Sequence, residues 1–317
     1  MATFNPTFSQ PGAINNAGDA QALFLKVFSG EVLSSFRQTT QFMDKHKVRT
    51  ISSGKSAQFP LIGKTSTGGG YLARGQVITP DTINHAERVI TIDDFLISSA
   101  MVYDLDDMMN HIDVRQEYSY QLGQDLAQNF DKNVARLGIL AARSASAVTG
   151  LPGGSRLTDA AAKTDATKLG DLLFAARQTL DEKDVAEDAN AFMLPAQYYL
   201  LVNGNDKLIS TDYSAGNGSY ASGQATKIAG LNIVKTNNLP STNVTGTFNN
   251  KYNVDALTTA ALVMTPSAVG TVKLQDIKAE TDYKLEYKGT LMVSSMAVGH
   301  GILRPECAVE IATGAVA

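Results

Sequence analysis

Residues 114–143 read VRQEYSYQLGQDLAQNFDKNVARLGILAAR. Apolar side chains recur through this stretch at near-fourfold spacing: Val114, Tyr118, Leu122, Leu126, Phe130, Val134 and Leu137. That period stacks them on one face of an α-helix. Gln116, Gln124, Gln128, Lys132 and Arg136 fall on the opposite face. Asp113 stands three residues before Gln116, which is capping-box spacing with Asp in the Ser/Thr place. The pattern predicts one helix of roughly 45 Å at 1.5 Å per residue, long enough to act as a spine. Just upstream, Asp104-Leu105-Asp106-Asp107 supplies carboxylates suited to the positive end of a helix dipole.

Further upstream the pattern changes. Ala57 to Ile62 and Arg88 to Ile97 read as strands, the second alternating Ile90 and Ile92 against Thr91 and Asp93. Between them lies a long polar excursion, 63–86, containing Thr65-Ser66-Thr67-Gly68-Gly69-Gly70. Its large apolar residues are few: Tyr71, Leu72, Val77, Ile78 and Ile83. So long a connection cannot build its own core, and a two-stranded arm is marginal alone. It is expected to rest on a neighbour. Residues 1–18 read as an extended arm carrying Phe4 and Phe8, which are costly to expose. Asp19 to Thr40 reads as a helix with Phe24, Phe28, Val32 and Phe36 on one face, weakened at Gly30. An ordinary core helix and an arm helix packed on a second subunit both fit that face.

Downstream, Gly150 to Thr164 is a break, and Lys168 to Asp181 is a shorter amphipathic helix. Phe192-Met193-Leu194 reads as a buried strand and Ala196 to Asn203 as a short helix. Residues 210–225, rich in Gly, Ser, Ala and Tyr, read as a mobile loop. Strands follow at Ile228 to Thr236, Ala260 to Thr265 and Ala308 to Ile311; Lys284 to Val298 reads as a strand pair or one long strand.

Composition narrows the function. Apolar residues at 44% suffice for a core, and 18% charge is too little for a disordered chain. A net charge of −4 is not that of a protein built to grip phosphates, so any contact with DNA is loose or local. The densest basic run, Lys45-His46-Lys47-Val48-Arg49 beside Arg37, reads as a solvated face. The single cysteine, Cys307, permits no internal disulfide and suits a reducing cytoplasm. No apolar run is long enough to cross a membrane as a helix, and Met1 to Ala20 lacks the layout of a signal peptide.

Catalytic constellations do not assemble. Ser53-Gly54-Lys55-Ser56 contains part of a phosphate loop, but Arg49 stands where the first glycine is needed. His46, His85, His111 and His300 are scattered, with no zinc-type spacing. His300 between Gly299 and Gly301 reads as a tight turn whose imidazole makes one hydrogen bond. The expectation is no enzyme, no metal and no cofactor.

Four stretches resemble the major capsid proteins of T-seven-like short-tailed phages, the autographivirus podoviruses. Ala22 to Leu33 resembles that family's arm helix. Val48 to Pro60 resembles the run entering its extended loop. Tyr103 to His111, Asp113-Val114-Arg115 and Gln121-Leu122-Gly123 resemble its spine-helix region. Ala297-Val298-Gly299-His300-Gly301-Ile302-Leu303-Arg304-Pro305-Glu306 resembles a signature near the C-terminus. The resemblance implies an α+β fold of the Hong Kong 97 type, with N-terminal arm, extended two-stranded loop, long spine helix, and peripheral and axial domains. The implied division is 1–45 for the arm and arm helix, 46–100 for the extended loop with its flanking strands, and 101–185 for the peripheral domain. The axial domain takes 186–270, and closing strands take 271–317.

The implied function is a major capsid protein forming hexamers and pentamers of an icosahedral shell around double-stranded phage DNA. Its implied partners are other copies of itself, a scaffolding protein during assembly, a portal at one vertex and the packaged DNA, with decoration proteins left open and no membrane. Its implied place is the virion capsid, assembled in the host bacterial cytoplasm. Inter-subunit contact falls to Phe4, Phe8, Phe24, Phe28, Phe36, Tyr71, Leu72, Val77 and Ile78. Two rivals stand beside this reading: an encapsulin-like compartment shell subunit of the same fold, and a metal-independent hydrolase.

Overall fold

The computed structural model describes residues 40–65, 70–78, 80, 82–109, 115–204, 218–219, 224–225 and 227–314. The expected arm with Phe4, Phe8, Phe24, Phe28 and Phe36, the cap at Asp113 and most of the loop at 210–225 lie outside them. The first strands are β1 (Lys47–Thr50), β2 (Ser56–Thr65), β3 (Ile83–Thr91) and β4 (Leu96–Tyr103). Helices α1 (Asp104–Met109) and α2 (Arg115–Ala142) follow. Then come β5 (Ser155–Thr158), α3 (Ala166–Glu182), β6 (Asn190–Met193) and α4 (Pro195–Gly204). Short pieces β7 (Gly218–Ser219), β8 (Gln224–Ala225) and β9 (Lys227–Ile228) precede β10 (Leu231–Lys235). After β11 (Asn243–Val244) and β12 (Val254–Asp255), the chain closes with β13 (Thr259–Met264), β14 (Val269–Lys284), β15 (Gly289–Ile302) and β16 (Ala308–Ala312).

The described residues form two compact units, one drawn from 40, 93–130 and 274–298, the other from 41–92, 131–273 and 299–314. In the second, a six-stranded sheet runs β5-β16-β13-β6-β10-β9. Its centre is dry: every residue of β6, β13 and β16 is buried. Both faces of these strands are covered, so they read as continuous apolar runs rather than alternations. Helix α3 covers the sheet with Leu169, Leu173, Ala176 and Leu180. Asp165 starts that helix by accepting from the backbone N–H groups of Thr167 and Lys168. In the first unit, Val102 and Met292 pack on Leu122, with Ala100 and Tyr118 around them.

Helix α2 matches the expected spine closely, at 28 residues. Its polar face differs from expectation. From Leu126 onward the helix is enclosed nearly all round: Asp131 is fully buried, and burial pulls the Arg136 guanidinium below its usual range. The run Arg88 to Ile97 is two strands, not one. The chain leaves β3, which pairs with β2, breaks at Asp93-Asp94-Phe95, and enters β4, which pairs with β15. One apolar stretch thus serves two sheets. The expected strand Ile228 to Thr236 is the hairpin β9–β10, turned at Ala229 and Gly230, both at positive φ. Lys284 to Val298 holds the end of β14, a turn and most of β15. The parallel partners β1 and β14 carried no clear strand signal: all four residues of β1 are exposed.

Candidate assembly surface

The β2–β3 hairpin is where the long polar excursion lands. The strands pair antiparallel from Ser56↔Thr91 to Ile62↔His85, with a register shift before Thr65↔Ile83. Its base is anchored. Ala57 and Ile90 join Val272 and Leu303 in a small buried cluster, with Ile51, Phe59 and Ile92 packed against it. The Gly299-His300-Gly301 triplet explains how the hairpin comes so close. It is not a turn, as expected, but part of strand β15. A Cβ on Gly299 would stand 2.0 Å from the Thr91 carbonyl oxygen, and one on Gly301 would meet Ile90 Cγ1 at 2.8 Å. Glycine at both positions lets β15 slide beneath β3. Further out, Asn84 Nδ2 donates to the Thr149 carbonyl at 3.0 Å and Lys64 pairs with Asp184 at 2.5 Å.

Beyond that anchor the apolar side chains become exposed. Tyr71 is fully exposed, Val77 is 86% exposed, Ile78 74% and Leu72 56%. The four contact candidates named from this region therefore lie together on the same excursion and face water in the single chain. Ile62 and Val89 add exposed apolar surface nearer the base. In the other unit Phe95, Ile97, Leu105, Met108, Leu285 and Tyr287 are exposed as well, and the Tyr283 hydroxyl donates to Asp104 Oδ2 at 2.6 Å. Sequence reading missed this second set, because each residue stood alone on a strand or helix that looked internally satisfied.

Among the described residues nearby, no catalytic group of side chains converges. An open groove of about 960 Å³ beside the hairpin is lined by Arg49, Ile51, Gln58, Pro60, His85 and Glu87, with no paired acid and base or activated nucleophile. Gly54 is followed by a strand rather than a helix, so no helix N-terminus aims N–H groups at a phosphate there. Cys307 is buried, and burial pushes its thiol up, away from the reactive thiolate. Among the described residues no group of three or more His, Cys, Asp or Glu could hold a metal ion, and no helix is long and apolar enough to cross a membrane. Of the basic run, Lys47 and Arg49 are solvated as expected, while His46 is buried.

Two polar anchors escaped sequence reading. Glu310, fully buried on β16, receives Arg143 Nε and Nη2 at 2.7 Å each and the Thr259 hydroxyl at 2.6 Å. Arg156 Nε stands 3.2 Å from the same carboxylate. This ties the residue just past α2 to three strands of the central sheet. Asp131 on α2 accepts from the Gln41 backbone N–H at 2.7 Å and from Asn238 Nδ2 at 3.1 Å. Burial pushes its carboxyl up to about 6, against the pull of those donors. Neither could be placed from the sequence, since the partners are 51 or more residues apart.

The comparisons with known proteins agree with this anatomy. The family model described as "Gp10A-like: Major capsid protein" matches residues 58–312. The major capsid protein of Escherichia phage T7 is 35% identical over 320 residues, covering 92% of each chain. The solved capsid structure of the cyanophage P-SCSP1u superposes with a TM-score of 0.81 at 44% identity, over 99% of this chain and 100% of that one. The mature capsid of bacteriophage PhiM1 shares the fold at 20% identity, with a TM-score of 0.74 over 98% of both chains. The fold is therefore the Hong Kong 97 type of phage capsid proteins. The chain belongs to the Gp10A-like major capsid protein family, whose members form the shell of the phage virion.

Proposed function

We propose that this subunit assembles as hexamers and pentamers into a closed icosahedral shell around double-stranded DNA. The observation that carries the reading is the β2–β3 excursion. Its base is fixed by a buried cluster, and its outer apolar side chains are exposed. Such residues are stabilised only when a second copy covers them, through head-to-tail contacts that close into rings. Tyr71, Leu72, Val77 and Ile78 are the contact residues in this reading. Phe4, Phe8, Phe24, Phe28 and Phe36 are proposed to serve the same end from the N-terminal arm.

The division into arm 1–45, extended loop 46–100, peripheral domain 101–185, axial domain 186–270 and closing strands 271–317 belongs to the same proposal. So do a scaffolding protein as assembly partner, a portal at one vertex, loosely held DNA on an inner face of low positive charge, and assembly in the host cytoplasm. The subunit acts as a building block and not as a catalyst. Electron microscopy of the protein expressed with and without a scaffolding protein tests this. Closed shells that need the scaffold are the expected result. Small shells that form spontaneously would favour a cargo compartment instead, and a chain that stays monomeric under both conditions would contradict both.

A further inference from the structure

One buried polar chain has no part in the assembly reading. His46 Nδ1 lies 2.6 Å from the Phe42 carbonyl oxygen, and His46 Nε2 lies 2.8 Å from Thr271 Oγ1. Thr271 Oγ1 is in turn 2.8 Å from His300 Nδ1. His46, Thr271 and His300 are all buried. The protons can be placed by elimination. The Phe42 carbonyl only accepts, so His46 Nδ1 carries the proton and its neutral Nε2 must accept. The Thr271 hydroxyl therefore donates to His46, and its oxygen accepts from the N–H of His300. The chain runs one way, from His300 through Thr271 and His46 to Phe42.

This relay ends at the point where the N-terminal residues join the described core. The Phe42 ring is fully buried and stacks on Phe192 with centroids 4.1 Å apart. The adjoining Gln41 N–H is held by Asp131. We propose that His46 is an acid-released latch, holding the segment Gln41–Thr50 to strands β14 and β15 until its ring takes up a second proton. An imidazolium at His46 would donate from both nitrogens. Thr271 would then receive the His46 N–H, and its own proton could be accepted only by His300 Nδ1, which forces His300 to carry its proton on Nε2 instead. The added charge would be buried near His300, which itself lies near Lys251 and against the Tyr252 ring. Asp44 is the anionic neighbour that favours the charged form.

Burial holds His46 below the usual histidine range and His300 further below it. A group whose pKa is lowered on folding contributes stability above its unfolded value, near 6.5, and loses it as the pH falls from there. The latch is thus closed at neutral pH and weakens in mild acid. Asp131 has the opposite sign, since its raised pKa favours the clamp in acid. A test must therefore isolate His46.

Hydrogen–deuterium exchange of the full chain, followed through peptides covering 41–50 and corrected for intrinsic rates, makes that separation. Between about pH 7.5 and about pH 5 the wild-type protection is expected to fall roughly tenfold or more. His46→Asn keeps an amide N–H for the Phe42 carbonyl but takes up no proton, and it should diminish the fall, leaving only the share that His300 contributes. Thr271→Val removes the donor that favours the neutral ring, and should raise the midpoint by about half a pH unit or more. His85→Gln, at an exposed histidine of β3, should behave as wild type. The latch is overturned by wild-type protection that ignores pH, by an undiminished fall in His46→Asn, or by an unmoved midpoint in Thr271→Val. Should His46→Asn not fold, the Thr271→Val midpoint decides.

Discussion

Strand β13 and hairpin β2–β3 are both rich in apolar residues, yet their fates are opposite. Thr259–Met264 is buried at every position between β6 and β16. Among the described residues the hairpin pairs only with itself, and most of its residues are exposed. The six-stranded sheet buries its central strands within the chain. The hairpin is buried at its base and fully exposed by Tyr71. In the proposed reading, the difference separates a region that makes the subunit from a region that makes contact between subunits.

The largest expected effect breaks the first region from within. Glu310→Gln removes the carboxylate that two arginines share in the buried sheet, leaving uncompensated charge. Loss of about 3–5 kcal/mol in denaturant unfolding is expected, with β2–β3 affected only through global unfolding. Next comes Asp131. A carboxyl raised from 3.8 to about 6 favours the folded state most below pH 3.8 and loses that contribution as the pH rises through 6. On acidification from pH 7 to pH 4, wild type should gain up to about 3 kcal/mol relative to Asp131→Asn in paired unfolding curves. Equal pH profiles would remove burial as the cause. A smaller effect probes the joint between the two regions. Gly299→Ala forces a Cβ against the Thr91 carbonyl, and should cost about 1–3 kcal/mol while loosening the hairpin base in hydrogen exchange.

How much of this could be read in advance follows the same division. Helix α2 was legible to within a residue or two because its fourfold apolar repeat is local information. Strands β6, β13 and β16 were legible as short apolar runs. The exposed tip was legible from poverty: too few apolar residues over too long a stretch. What escaped depends on tertiary meetings. Asp131 sits beside Lys132, a residue opposite the apolar repeat, and only the fold encloses it. Glu310 looks like a break in the apolar strand until Arg143 and Arg156 arrive. His46 and Thr271 are 225 residues apart. Gly299 and Gly301 read as turn residues, because the sequence does not show which strand must pass beneath them. The resemblance of four stretches to the T-seven-like capsid proteins supplied the identity that periodicity alone could not.

The smallest expected effect on the chain carries the largest on the particle. Tyr71, Leu72, Val77 and Ile78, all replaced by Ser, remove side chains that are exposed in the subunit. Unfolding of the isolated chain should shift by no more than about 0.5 kcal/mol per site. The decisive measurement is electron microscopy of this fourfold variant, expressed with a scaffolding protein, beside its unfolding curve. The account predicts a folded subunit that forms no closed shells. Normal shells from the folded variant would contradict the claim that the hairpin tip is made to be covered by a neighbour.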